Sequence, residues 1–165
     1  MKILAVCLGN ICRSPLAEAL LRREAEVRGL DWEIASAGTA NYHTGSPPDP
    51  RSVAVALEHG LDITDQRSRH VTAEDLNYYD LVLGMDRQNV EDLKELARTC
   101  SAAESRTQSG QVQREKIHLF LEYAGLAESE GPDVFDPYYD DQAYAGVYEL
   151  VEQAAKRVVN NLAGS

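Results

Sequence analysis

The chain has 165 residues, of which 44% are hydrophobic and 26% charged, and this composition excludes a disordered chain, a collagen and a coiled-coil rod. Its 16 basic and 27 acidic residues give a net charge of −11, so we expect neither nucleic acid nor a membrane among its partners. The length predicts one domain over residues 1–165, and the lack of an apolar leader or spanning segment predicts a cytoplasmic protein.

Segments typical of strands alternate with segments typical of helices. Ser14 at the cap and Pro15 in the first turn are a common helix start signal. The expected elements follow in chain order: strand Met1–Cys7, loop Leu8–Arg13, helix Ser14–Arg28, strand Trp32–Ala37, loop Gly38–Pro50, helix Arg51–His59, strand Asp80–Leu83 and helix Arg87–Ala97.

The remainder of the chain contains one segment of biased composition. Thr99–Arg114 is rich in Ser, Gln, Ala and Glu, and we interpret it as a mobile surface insertion. Lys116–Tyr123 is typical of either a fourth strand or a short helix, Glu130–Tyr139 of a loop, and Gln142–Leu162 of a final helix. The alternation predicts an α/β fold: a three-layer sandwich whose central four-stranded parallel sheet is flanked by helices.

The loop after the first strand carries the candidate chemistry, because Cys7 and Arg13 stand there with five residues between them. Cys100 and Arg106 repeat this spacing, but no strand precedes them and no helix start follows, so we regard the second match as coincidental. The first match lies where the carboxyl edge of a parallel sheet is expected, which is where α/β folds place their sites.

The same loop is predicted to bind an anion. Gly9 and Asn10 tolerate left-handed backbone angles that turn N–H groups inward, and the helix that starts at Ser14 adds free N–H groups and the positive end of its dipole. Arg13 can hold two phosphate oxygens, and the positive field favours Cys7 as a nucleophilic thiolate. The phosphate-binding residues are then Leu8, Gly9, Asn10, Ile11, Cys12, Arg13 and Ser14. The alternative is a buried strand-end cysteine beside an ordinary capping turn.

Two motifs point to a known family. The segment Val6–Pro15, VCLGNICRSP, resembles the signature loop of the low-molecular-weight protein tyrosine phosphatases, and Asp136–Tyr139, DPYY, resembles their general-acid loop. The similarity extends over nearly the whole chain and includes Ser36–Thr39, Pro47–Asp49 and Met85-Asp86. It implies a phosphatase whose phosphate-binding loop follows the first strand of the sheet.

The resemblance also implies a mechanism. Cys7 would attack phosphorus to form a cysteinyl-phosphate, Arg13 would stabilise the transferred oxygens, and Asp136 would act as general acid and then as base. Ser14 would donate a hydrogen bond to Cys7, and Asn10 would hold the shape of the loop. The expected partners are phosphotyrosine proteins, with inorganic phosphate and other oxyanions as competing ligands. Since the cysteines and histidines lack metal-ligand spacing, no metal or other cofactor is expected.

The walls of the substrate slot are predicted to be aromatic. Tyr42, Tyr138 and Tyr139 are the candidates, although Tyr42 is also typical of an ordinary half-exposed loop tyrosine. The residues alone do not distinguish four aspartates in the acidic loop, and only the resemblance selects Asp136 over Asp133, Asp140 and Asp141.

Several alternatives stay open. Gln66 stands where many members of the family have a histidine that supports the loop through hydrogen bonds. The sequence therefore leaves open how the loop is supported here and whether Ser36 has a role. A protein-arginine phosphatase of this family would have Thr in place of Ile11, an arsenate reductase would need further cysteines, and a phosphotyrosine-binding module would need no nucleophile. Cys12 lies in the same loop as Cys7, so it could form a protective disulfide with Cys7, which predicts a redox-sensitive protein. The alternative is that Cys12 is only a small packing residue.

Overall fold

A computed structural model describes residues 1–103 and 113–164 of the protein. In those residues the elements are β1 (Lys2–Cys7), α1 (Arg13–Val27), β2 (Glu33–Gly38), α2 (Pro50–Glu58), α3 (Ala73–Tyr78), β3 (Leu81–Gly84), α4 (Arg87–Ala103), β4 (Ile117–Leu119), α5 (Phe120–Tyr123), α6 (Ala127–Glu130), a 3-10 turn (Asp141–Ala143) and α7 (Tyr144–Ala163). The strands form one parallel sheet in the order β2-β1-β3-β4.

The central strand β1 shows how the layers form, because its successive side chains face opposite sides of the sheet. Ile3 and Ala5 pack in a cluster with residues of α1, α2, α5 and α7. Leu4 and Val6 pack in a second cluster with α3 and α4. All four side chains are fully buried, as expected of a parallel sheet covered on both faces. The predicted three-layer fold with a four-stranded parallel sheet is confirmed.

The segment Thr99–Arg114 differs from its prediction in part. Helix α4 continues past Ala97 to Ala103, so the first five residues of the segment are helical. Paired side chains such as Glu95 and Arg98 support an exposed helix, and a polar composition reports exposure to water rather than the lack of a helix. Residues 104–112, on which the rest of that prediction falls, lie outside the described residues.

The structure also settles the segment Lys116–Tyr123 and adds a helix, α3, that the sequence did not predict. Lys116–Tyr123 contains both of its alternatives, because strand β4 passes directly into the single turn of α5. Helix α3 was missing from the prediction, although its start is encoded in the chain: Thr72 and Asp75 form a capping box, in which each side chain accepts from the other's backbone N–H. No helix in the described part of the chain is long and apolar enough to cross a membrane.

Candidate active site

The loop between β1 and α1 borders a pocket of about 310 Å³ at the carboxyl edge of the sheet. Cys7, the last residue of β1, is 2% exposed, and Arg13, the first residue of α1, is 1% exposed. The pocket is lined by Cys7, Leu8, Gly9, Ile11, Cys12, Arg13, Tyr42, His43, Asp136, Tyr138 and Tyr139. The structure thus brings together nearly all of the residues singled out from the sequence. Asn10 and Ser14 lie behind this lining, and His43 was not predicted.

Five carbonyl groups of the loop accept hydrogen bonds from residues outside it. The pairs are Cys7 with Thr39 N, Leu8 with Ala40 N, Gly9 with Ser68 Oγ, Ile11 with Asp49 N and Cys12 with Ser52 Oγ, all between 2.9 and 3.1 Å. In a trans peptide the N–H points opposite to the preceding carbonyl, so the N–H groups of residues 8–10, 12 and 13 are turned toward the pocket. This arrangement suits an anion.

The bend of the loop is set by Asn10 and not by Gly9. Asn10 has a φ of 55°, the left-handed region that asparagine tolerates better than most residues. Gly9 lacks a positive φ, contrary to the sequence-based expectation; a Cβ there would lie 3.0 Å from His43 Cδ2. Gly38 matters for a different reason, because a Cβ would lie 2.7 Å from Leu8 O. The end of β2 can approach the loop only without a side chain.

A chain of hydrogen bonds leads from Cys7 to the far side of the loop. Ser14 is the second residue of α1, and not its cap as the sequence suggested. Its hydroxyl lies 3.0 Å from Cys7 Sγ. Asn10 Nδ2 donates to Ser14 Oγ at 2.8 Å and to Ser36 Oγ at 3.0 Å. Ser36 in turn donates to the buried carboxylate of Glu18 at 2.6 Å. The chain orients the Ser14 hydroxyl and gives Ser36 a defined place.

Support from the opposite side comes from the segment before α3. The backbone N–H of Arg69 donates to Asn10 Oδ1 at 3.0 Å, and the guanidinium of Arg69 pairs with Asp75 of α3. Gln66 donates to the carbonyl of Pro15 at 3.1 Å. Asn10 therefore has partners on both sides without a histidine at position 66.

Arg13 is fixed in the pocket by Asp86, which lies between β3 and α4, and by partners on the acidic loop. Its NH1 donates to Asp86 at 2.7 Å and to the carbonyl of Val134 at 3.0 Å, and its NH2 lies 3.5 Å from Asp136. Its Nε is buried and has no partner among the described residues. Burial favours the neutral form of Arg13, but its interactions with Cys7, Asp86 and Asp136 outweigh this effect and raise its pKa. The side chain thus offers a positive charge and a free N–H.

The four aspartates of the acidic loop occupy different environments. Asp136 borders the pocket, and its side chain is 42% exposed. The hydrogen bonds of Arg87 outweigh the effect of burial and lower the pKa of Asp133, which makes it a poor proton donor. Asp140 accepts from the N–H of Gln142, and Asp141 pairs with Arg51. Of the four, Asp136 alone borders the same pocket as Cys7, and its contact with Arg13, at 3.5 Å, is longer than the ion pairs of Asp133 and Asp141.

The three predicted tyrosines lie at the mouth of the pocket but differ in how far their side chains are exposed. Tyr138 is 37% exposed and has ring contacts with His43 and Tyr139, at centroid distances of 6.3 and 4.8 Å. Tyr42 and Tyr139 are 74% and 95% exposed. Tyr138 therefore forms a partly buried wall of the pocket, while the more exposed Tyr42 and Tyr139 form its rim.

Cys12 faces α7 across the base of the loop. Its Sγ lies 3.3 Å from the hydroxyl of Tyr144. Burial raises the pKa of the Cys12 thiol to about 12, although the hydrogen bond from Tyr144 partly opposes that shift. Cys12 is therefore protonated at neutral pH.

The start of α2 was missed as part of the site. Asp49 caps the helix, its N–H holds the carbonyl of Ile11, and its carboxylate pairs with Arg51. The Arg51 guanidinium lies 4.7 Å from the ring centroid of Tyr144 and 5.5 Å from that of Tyr138. The signals in the sequence are the family similarity at Pro47–Asp49 and the cap pattern Asp49-Pro50, which marks a helix start but not a contact with the loop.

The fold and site define a class of small α/β protein in which a thiol and an arginine share an anion-binding loop after the first strand. The chain belongs to the family of low molecular weight phosphotyrosine protein phosphatases, whose model matches residues 2–165. This confirms the resemblance seen in the loop and acidic motifs.

Three relatives illustrate the likeness. The low molecular weight protein-tyrosine-phosphatase YfkJ of Bacillus subtilis is 33% identical, over 98% of this chain and 96% of its own length. Its crystal structure superposes with a TM-score of 0.84, at 28% identity, over 99% of this chain and 95% of that one. Wzb of Vibrio vulnificus, in complex with benzylphosphonate, gives a TM-score of 0.79 at 30% identity over 97% of both chains. The arginine phosphatase YwlE, a mutant with a phosphorylated active-site serine, gives 0.80 at 28% identity over 99% and 96%.

Proposed function

We propose that the protein hydrolyses phosphotyrosine in proteins through a cysteinyl-phosphate on Cys7. The observation that carries this proposal is the buried Nε of Arg13, which has no partner among the described residues, beside a loop whose carbonyl groups bond away from the pocket. Such a set of fixed donors suits the equatorial oxygens of a phosphoryl group, where negative charge is held during transfer. No part of the arrangement needs a metal to supply charge.

In the first step, Cys7 Sγ forms a bond to phosphorus while the bond from phosphorus to the tyrosine oxygen breaks. Asp136, protonated, gives its proton to that oxygen, so that tyrosine leaves as a neutral phenol. Arg13 and the loop N–H groups stabilise the phosphoryl oxygens. The position of Asp136, 3.5 Å from Arg13 and bordering the same pocket as Cys7, supports this role.

In the second step, a water oxygen forms a bond to phosphorus while the bond to Cys7 Sγ breaks. Asp136, now a carboxylate, takes the proton of the water, and phosphate is released. The Ser14 hydroxyl, 3.0 Å from Cys7 Sγ, donates to the departing thiolate. Asn10 supports this orientation because its amide donates to Ser14 Oγ, so the hydroxyl hydrogen is left for Cys7 Sγ or for the carbonyl of Ala37, which is more distant at 3.5 Å.

The relatives support a phosphoryl ligand in this pocket and a covalent step at its nucleophile. Wzb binds benzylphosphonate, an aryl analogue of a phosphate ester, and the YwlE mutant carries phosphate on its active-site serine. We transfer both findings to Cys7 and its loop. The free thiols of Cys7, Cys12 and Cys100 favour a reducing compartment such as the cytoplasm.

Phosphoarginine is the second candidate substrate, because the arginine phosphatase YwlE has the same fold. Ile11 argues for phosphotyrosine. Its side chain borders the pocket and packs with Cys12 and Tyr144, so it offers an apolar wall to a ring. With Tyr138 on the mouth, the slot favours a long, flat, apolar side chain over a charged guanidinium.

The proposal is tested by hydrolysis of matched phosphotyrosine, phosphoserine and phosphoarginine peptides without added metal. We expect phosphotyrosine to react fastest, and the variant Ile11→Thr to shift the ratio toward phosphoarginine. Faster hydrolysis of phosphoarginine by the wild type would overturn the assigned substrate.

The covalent step is tested separately. Cys7→Ser is expected to lose turnover but to keep phosphate binding, since the donors belong to Arg13 and the backbone. A Cys7→Ser variant that retains a tenth of the wild-type rate would rule out the thiol as nucleophile.

A further inference from the structure

A groove of about 510 Å³ lies beside the candidate active-site pocket and shares Asp136 with it. On its other sides the groove is bordered by the start of α4, with Arg87 and Gln88, and by Phe135 of the acidic loop. Any chain that places a group on Cys7 and passes over Asp136 therefore meets this groove next.

The charged walls of the groove are already engaged within the fold. The carboxylate of Asp133 accepts hydrogen bonds from the guanidinium and from the backbone N–H of Arg87. The carboxylate of Asp86 pairs with Arg13. Asp86 and Asp133 thus each neutralise one guanidinium group, and Asp136 lies beside Arg13, so the groove has no unpaired positive charge among its described residues. The groove is therefore unfavourable for an acidic side chain.

The apolar surface of the groove comes from Phe135, which is 59% exposed although it directly precedes Asp136. Exposed apolar side chains gather at this end of the protein. Among the described residues, those at the pocket or groove are Leu8, Tyr42, Phe135, Tyr138 and Tyr139, and those elsewhere are Met1, Val27, Leu57 and Tyr78. An exposed apolar cluster beside a pocket is typical of a surface that a ligand covers.

We propose that this groove receives an apolar side chain next to the phosphotyrosine of the substrate, and that Phe135 determines this preference. The inference rests on the proposed function, since the phosphotyrosine in the pocket fixes where its neighbours lie. Consecutive Cα atoms of a peptide are only about 3.8 Å apart, and Asp136 borders both the pocket and the groove, so a residue that flanks the phosphotyrosine lies within side-chain reach of Phe135. Covering an exposed aromatic ring stabilises the bound peptide.

The test compares phosphotyrosine peptides that differ only in one flanking residue, Leu, Ser or Asp, on either side. For the wild type, kcat/KM is expected to be about tenfold higher for Leu than for Asp on one of the two sides. In Phe135→Ser this ratio is expected to fall to about twofold. Leu57→Ser, which removes a similarly exposed apolar side chain from α2 (54%), is the matched control and is expected to keep the wild-type ratio.

A small aryl phosphate, which has no flanking residue, separates the possible failures. Phe135→Ser is expected to hydrolyse it within about twofold of the wild type. An equal loss on the aryl phosphate and on every peptide would overturn the inference, because Phe135 would then act by positioning Asp136. An unchanged Leu-to-Asp ratio in Phe135→Ser would also overturn it. So would a dimer of the wild type, seen by sedimentation and lost in the variant, since a second copy would then cover Phe135. A wild type inactive toward all aryl phosphates would instead refute the proposed function.

Discussion

The guanidinium of Arg51 donates to the carboxylate of Asp141 at 2.5 Å and thereby joins the start of α2 to the segment that follows the acidic motif. The same guanidinium holds Asp49, whose N–H supports the loop at Ile11. The hydrogen bonds of Asp49 and Asp141 raise the pKa of Arg51, so it remains charged. The loop between β1 and α1 and the segment after the acidic motif are thus connected through one side chain.

Removing Arg51 is expected to cost more stability than removing its exposed partner. In Arg51→Met, the buried carboxylate of Asp49, 8% exposed, loses its guanidinium, whereas in Asp141→Asn a side chain 78% exposed is solvated by water. Urea unfolding should therefore place the midpoint of Arg51→Met below that of Asp141→Asn. Equal midpoints would mean that Asp49 does not depend on Arg51.

The general-acid role of Asp136 predicts an interaction between mutation and leaving group. A positioned acid contributes about 10²–10⁴-fold when the leaving group needs a proton, and the tyrosine phenol, with a pKa of about 10, needs one. Asp136→Asn should slow the pre-steady-state burst with phosphotyrosine by a factor in that range. With an aryl phosphate whose phenol is much more acidic, the loss should be far smaller.

Two aspartates serve as controls for that experiment. Asp140→Asn can still accept from the N–H of Gln142, so it should change little with either substrate. Asp133→Asn weakens the contact with Arg87 but is expected to preserve the dependence on the leaving group. If Asp136→Asn lost the same factor with both leaving groups, its role would be to position the loop.

Oxidation should inactivate the enzyme reversibly, with Cys12 resolving a sulfenic acid on Cys7 as a disulfide. Because the pKa of Cys12 is raised to about 12, its thiolate fraction is small and grows about tenfold per pH unit. Disulfide formation after peroxide is therefore expected to accelerate about tenfold from pH 7 to pH 8. Activity recovered with dithiothreitol measures the protection; equal recovery by wild type and Cys12→Ala would remove the role of Cys12.

Asp75 predicts a specific response of stability to acid. Burial raises its pKa, but hydrogen bonds from Arg69 and Thr72 outweigh burial and hold the folded pKa below the usual value of 3.8. Its stabilising effect is therefore complete above pH 3.8 and is lost as the pH falls through the lower, folded pKa.

At neutral pH, Asp75→Asn should lower the free energy of unfolding by about 1–2 kcal/mol, and the difference from the wild type should shrink below pH 4. Chemical denaturation from pH 7 to pH 2 measures this, with the exposed Asp65→Asn as control. A difference that stayed constant with pH would exclude the titration of Asp75 as its cause.

The fold was predictable because β1 and β3, the two inner strands of the sheet, are local apolar runs and each long helix has a local period. The main features of the loop were predictable too, since Cys7, Asn10 and Arg13 are close in sequence. Contacts between distant segments could not be predicted, such as the hydrogen bond from Ser36 to Glu18 and the ion pair of Arg51 with Asp141. Neither leaves a periodic trace, because each joins single polar residues whose proximity arises only after the sheet and helices have packed.

In the loop between β1 and α1, the bonds to the rest of the fold and the proposed bonds to a ligand use different backbone atoms. Its carbonyl groups bond to the surrounding fold, while its N–H groups remain for a ligand. The side chains of Leu8 and Ile11 line the pocket and take no part in either set of bonds. Substrate preference can therefore be redesigned at these two positions without rebuilding the loop, because its shape is maintained by its backbone carbonyl groups and by the side chain of Asn10.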